Sequence, residues 1–155
     1  MATTALPSHA YFEHFGAVRD IRLYIKGEPV KRDDGSIQCA ELVKRLAGAP
    51  RTQPNNWKKG SELTANLIGS LAIGTPIASG WNADNFYPNG VSGQHAGFFS
   101  GVVKDKSGAV IGFKIVEQYR GVTEIVEREV YFDPKAHRKP DTYFHNGTSY
   151  ATIQW

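Results

Sequence analysis

The sequence holds a single cysteine among its 155 residues, so no internal disulfide can form and oxidation does not hold the fold together. One thiol, with five histidines that lack the spacing of metal ligands, also argues against a zinc site. No apolar run is long enough to cross a bilayer, and no membrane partner is expected. The first ten residues have neither a basic n-region nor an apolar h-region, so a Sec signal peptide is not expected there. The expectation is synthesis in the cytoplasm, with any work outside it requiring another delivery route. Basic residues are scattered, with short clusters at Lys31-Arg32, Lys58-Lys59 and Arg138-Lys139. Without a basic helix or an aromatic–basic repeat, nucleic acid is not an expected partner. Internal repeats, linkers and low-complexity tracts are also missing.

What remains is ordinary soluble-protein composition, with 41% hydrophobic and 21% charged residues, in a length that suits one domain over residues 1–155. Such a chain can bury a core without disulfides or metals. The net charge of +3 and pI near 9.0 are mild, and would suit an anionic polymer such as a cell wall without requiring one.

The most informative stretch surrounds the cysteine, Asp33-Asp34-Gly35-Ser36-Ile37-Gln38-Cys39-Ala40-Glu41-Leu42-Val43. Asp-Asp-Gly is turn chemistry, and Ser36 is expected to cap a helix. Cys39, Leu42, Val43 and Leu46 fall at i, i+3, i+4 and i+7 and share one helical face. Gly48 and Pro50 are expected to end the helix. Cys39 then lies in the first turn, where unpaired N–H groups and the positive end of the helix dipole favour a thiolate. Those N–H groups could also hold an oxyanion. The plain alternative is a cysteine that serves as a small buried hydrophobe.

Along the rest of the chain, Tyr11, Phe15 and Val18 suggest a short helix, and the alternation of Ile21, Leu23 and Ile25 suggests a short strand. Residues 61–67 could form a short helix. From Gly74 the pattern changes to strands: residues 74–81, 95–103, 110–119, 123–132 and 150–155. A hairpin turn is expected over residues 104–108, and loops over residues 82–93 and 134–146. One helix followed by antiparallel strands predicts an α+β fold.

A nucleophilic thiol needs a base, and the base needs a polar group to orient it. Of His9, His14, His95, His137 and His145, only His95 opens a strand directly after a Gly-bearing loop. On the following strand the pleat places Phe113, Ile115, Glu117 and Tyr119 on one face. That apolar face is expected to receive the Cys39 helix, and a carboxylate among such neighbours needs a partner, for which His95 is the natural choice. The alternative is a solvated Glu117 at a strand end.

Three segments, Gly35-x-x-Gln38-Cys39-x-x-Leu42-Val43, Gly74-Thr75-x-Ile77 and Gly93-Gln94-His95-Ala96-Gly97-Phe98-Phe99, resemble the CHAP and NlpC/p60 cysteine amidases. Val116-Glu117-Gln118-Tyr119 is similar to that superfamily's third segment. Trp57, Phe86-Tyr87-Pro88 and the C-terminal strand resemble a small bacterial branch, some members of which are associated with interbacterial secretion. The resemblance runs over residues 35–155, with residues 1–25 as an N-terminal extension. It implies a papain-like core in which an N-terminal catalytic helix packs on an antiparallel sheet. It further implies Cys39 as nucleophile, His95 as base and Glu117 as the orienting group, with no cofactor and no metal. CHAP domains often carry asparagine two residues after the glutamate, where this chain has Tyr119, and Gln118 is a second candidate for the orienting role.

The implied activity is cleavage of amide bonds in peptidoglycan stem peptides through an acyl-enzyme, in the periplasm or cell wall. The aromatic loop from Trp81 to Pro88 would then wall the substrate groove, or else pack as surface. In a secreted antibacterial effector, an immunity protein over that groove would be the expected partner. Two alternatives stand beside it: a non-catalytic wall-binding or interaction module, and a cysteine acyltransferase.

Overall fold

The computed structural model describes residues 17–47, 57–88, 90 and 92–154. Its regular elements are α1 (Cys39–Leu46), β1 (Lys58–Glu62), α2 (Ala65–Ile68), β2 (Pro76–Ser79), β3 (His95–Lys104), β4 (Val110–Glu117), β5 (Val126–Tyr131) and β6 (Tyr150–Gln154). The strands form one six-stranded sheet in the order β1-β6-β2-β3-β4-β5, with every neighbouring pair antiparallel. The fold is therefore α+β. Among the described residues, no helix is long and apolar enough to cross a membrane.

α1 forms where the 3.6-residue period places it. Leu42, Val43 and Leu46 are fully buried, each contributing roughly 1.5–3 kcal/mol of burial. Its start differs from expectation. The N-cap is Gln38, in an extended conformation, while the Ser36 hydroxyl and N–H both donate to Asp34 Oδ1, at 2.6 and 2.9 Å. Ser36 thus closes the preceding turn rather than the helix. That turn is the tip of a small hairpin, held by a Lys31–Ile37 bridge and by Arg32 N–H donating to Ser36 O, with Gly35 at φ +85°. The expected stop at Gly48 and Pro50 lies outside the described residues, as do Tyr11 and Phe15.

Two other expectations change. Ile21–Tyr24 is a 3-10 turn, not a strand, with Ile21 and Tyr24 buried at i and i+3 while Leu23 is exposed. Residues 58–62 form strand β1 instead of leading into a helix at residue 61, and α2 begins only after Thr64, whose hydroxyl accepts from Leu67 N–H at 3.1 Å. β1 is polar throughout and takes its conformation from pairing with β6, where Ser61 N–H also donates to Thr152 Oγ1 at 2.9 Å.

Both faces of the sheet are covered. Ala78, Ala96, Phe98, Val116 and Ile153 meet α1 together with Ile21, Tyr24, Trp57 and Tyr87. The opposite face carries Ile77, Phe99, Phe113, Ile115, Val130 and Tyr150, under Leu63 and Ile68. The Phe113–Ile115–Glu117 face therefore does not receive α1, contrary to expectation. Consecutive Phe98 and Phe99 pair with Val116 and Ile115, so each strand is apolar on both sides, and alternation alone could not choose between them. Gly97 sits against β4, where an added Cβ would come within 2.7 Å of Val116 O and 2.8 Å of the Ile115 side chain. Only glycine permits that approach.

Candidate active site

The site is assembled at the start of β3, where the sheet and the N-terminus of α1 meet. Cys39 is the first residue of α1 and is partly buried. His95 is the first residue of β3 and Glu117 the last of β4. Both project from the sheet face opposite α1, so thiol and imidazole are joined across the strand ends.

His95 and Glu117 are buried, with Nε2 2.6 Å from Glu117 Oε1. Nε2 is thereby occupied, and Nδ1 is the ring nitrogen left to face Cys39. Burial alone would raise the Cys39 pKa, but it is outweighed by hydrogen bonding to His95, then by the charge on His95, the Tyr87 hydroxyl and the Ala96 backbone N–H, and the thiol is lowered. Burial likewise opposes a charged imidazole. Hydrogen bonds to Cys39 and Glu117, and the negative charge of both, raise His95 to about 9. For Glu117, burial opposes the charge, but His95 and Arg128 together hold the carboxylate below its ordinary range. Each shift favours a thiolate–imidazolium pair backed by a carboxylate.

Glu117 is not a solvated strand-end residue. It is fully buried and gripped by Arg128, whose Nε donates to Oε2 at 2.6 Å and whose Nη2 donates to Oε1 at 3.0 Å. Arg128 lies on β5, on the same sheet face, opposite Ile115. Its guanidinium stacks 3.7 Å from the Phe144 ring centroid and also donates to Phe144 O and Tyr150 Oη. A fork of this kind suits a carboxylate as lysine could not. Arg128 was not among the residues the sequence singled out, although alternation along residues 126–130 places it on the Glu117 face.

Tyr87 was also not singled out for chemistry. Its hydroxyl lies 3.5 Å from Cys39 Sγ, and its ring packs on Trp57 at 5.2 Å and Trp81 at 6.0 Å between centroids. Burial, followed by the charge of Cys39, raises the phenol well above its ordinary pKa, so it remains a donor to the thiolate. The Trp81 indole N–H donates to Ala78 O at 2.9 Å. The aromatic loop is thus tied to the core while Tyr87 reaches the sulfur.

Gln118 turns away from His95, and its side chain bonds the backbones of Val30 and Gln38. Tyr119 and Phe144 instead stand edge-on to His95, at centroid distances of 6.2 and 4.7 Å. His137 stacks on Tyr131, and His145 sits against Phe144, while His9 and His14 lie outside the described residues. Among the described residues, no group of three or more His, Cys, Asp or Glu converges as metal ligands would. Compared with protein-family models, with curated proteins and with solved structures, the chain matches none of them.

Proposed function

We propose that this protein is a cysteine hydrolase of amide bonds, acting on peptidoglycan stem peptides. The observation that carries the reading is the buried His95–Glu117 contact of 2.6 Å beside a thiol of lowered pKa at a helix N-terminus. His95 Nδ1 holds the thiol proton, and Cys39 Sγ attacks the carbonyl carbon. The resulting oxyanion is met by the Cys39 N–H, which has no partner inside the helix, one such donor contributing about 2.7–4 kcal/mol. Tyr87 is placed to donate first to the thiolate and then towards the developing charge. His95 protonates the leaving amine as the C–N bond breaks. It next takes a proton from water, which attacks the thioester to release the acid and restore the thiol. Glu117 keeps Nδ1 directed at Cys39 and stabilises the imidazolium.

The substrate class rests on the resemblance to CHAP and NlpC/p60 amidases, which the α+β fold and the order Cys–His–Glu support. On that reading the protein works in the periplasm or cell wall, as an antibacterial effector with an immunity protein at its groove. The test is digestion of purified peptidoglycan by wild type and Cys39→Ala, followed by mass spectrometry. New stem-peptide fragments from wild type alone are expected. Their absence, with both proteins folded, would overturn the substrate assignment. A Cys39 that reacts no faster than a free thiol would overturn the hydrolase itself. Product adducts with added amines would indicate an acyltransferase instead.

A further inference from the structure

Glu117 and Gln118 are consecutive at the end of β4, and they serve opposite sides of the sheet. Glu117 holds His95. Gln118 is fully buried, and its amide is bonded at both ends: Oε1 accepts from Val30 N–H at 2.8 Å, while Nε2 donates to Val30 O and Gln38 O, each at 2.8 Å. Gln38 is the N-cap of α1 and immediately precedes Cys39. Its carbonyl also accepts from Glu41 N–H in the first helical turn, at 3.2 Å. One donated bond therefore fixes the residue that launches the helix, and the reciprocal pair fixes Val30 at the base of the hairpin leading to it.

The chemistry of this socket is specific. Two carbonyl oxygens and one N–H point at the side chain, a pattern that requires two donors and an acceptor. Glutamine supplies that set. An ionised glutamate has the same shape but no donor, and would face two carbonyls with negative charge. A buried group left unmatched in this way disturbs its surroundings rather than merely vacating them.

We infer that Gln118 is a positioning residue for the nucleophile, so that one dipeptide at the end of β4 registers both halves of the Cys39–His95 pair. Glu117 sets the imidazole through one sheet face, and Gln118 sets the start of α1 from the other. The separation between thiol and imidazole is then governed by the β4 backbone instead of by α1 packing alone. This inference rests on the cysteine-hydrolase reading, because it concerns the reactivity of that thiol.

The experiment is the pH dependence of Cys39 alkylation by iodoacetamide in wild type, Gln118→Glu and Gln118→Met. Ile153→Val, a core change on the α1 face away from the thiol, serves as a control for lost stability. The expected result is that both Gln118 variants move the acidic limb of the profile to higher pH. At neutral pH they should slow alkylation roughly ten-fold, as for a lost hydrogen bond or two, whereas Ile153→Val keeps the wild-type limb. A folded Gln118 variant with the wild-type limb would overturn the inference, as would failure of both variants to fold, which would make Gln118 a folding residue only. A wild-type profile like that of a free thiol would overturn the hydrolase reading, and this inference with it.

Discussion

Replacing Glu117 by glutamine keeps the side chain's shape and removes the negative charge that His95 and Arg128 share. Two partners hold the His95 proton against burial, Cys39 and Glu117, and together they bring its pKa to about 9. A hydrogen bond to a charged group contributes roughly 1.5–3 kcal/mol, and about 1.4 kcal/mol corresponds to one pH unit, so the His95 midpoint should fall by roughly one to two pH units. Arg128 acts in the same direction. Its Nη2 lies 3.0 Å from the oxygen that His95 approaches at 2.6 Å, and without the carboxylate it opposes the imidazolium. The assay is an NMR titration of the imidazole resonances, with His95→Asn to assign the signal. A midpoint left near 9 in Glu117→Gln would refute the argument, since it would mean that Cys39 alone holds the proton. Stability supplies a second reading. Glu117 is depressed in the folded state, so its contribution is fully present above its ordinary value of 4.5 and is lost as pH falls through the folded value. The wild-type advantage over Glu117→Gln should therefore shrink on acidification below that range. It should shrink at the alkaline end as well, where His95 loses its proton near 9.

Arg128→Met should destabilise the protein by about 3–5 kcal/mol in chemical denaturation, because it leaves the buried Glu117 charge with His95 alone; Arg128→Lys should recover only part of this, lacking the fork that meets both carboxylate oxygens. Tyr87→Phe should leave stability nearly unchanged, since the ring still packs on Trp57, but should raise the acidic limb of Cys39 alkylation. At roughly 1 kcal/mol for the lost donor, alkylation at neutral pH should slow about five-fold, and an unshifted profile would remove Tyr87 from the site.

Wherever local chemistry and short-range pattern decide, the sequence alone determined the outcome. The stripe Cys39, Leu42, Val43 and Leu46 specifies α1 because a 3.6-residue period leaves one apolar face to bury. Asp105 and Gly108 specify the β3–β4 hairpin: Asp105 Oδ1 accepts from Ser107 and Ala109 N–H groups, and Gly108 supplies φ +91°. The meeting of His95 with Glu117 was suggested in the same way, since adjacent antiparallel strands bring residues of one face together, but a solvated Glu117 stayed open until the tertiary structure showed the buried contact. Tertiary structure decided the rest. β3 and β4 are apolar on both faces, so only the packed fold selects which face covers α1. β1 has no hydrophobic alternation and is a strand only because β6 offers it hydrogen bonds. Ile21–Tyr24 reads as a strand by alternation, yet it coils because burying Ile21 and Tyr24 together requires a three-residue spacing. Tyr87, Gln118 and Arg128 reach the site from 48, 80 and 11 residues away from their partners Cys39, Gln38 and Glu117. No local period encodes such contacts. They exist because the sheet brings its strand ends to one edge, where a buried charge, a thiol and two carbonyls must each find a matching group.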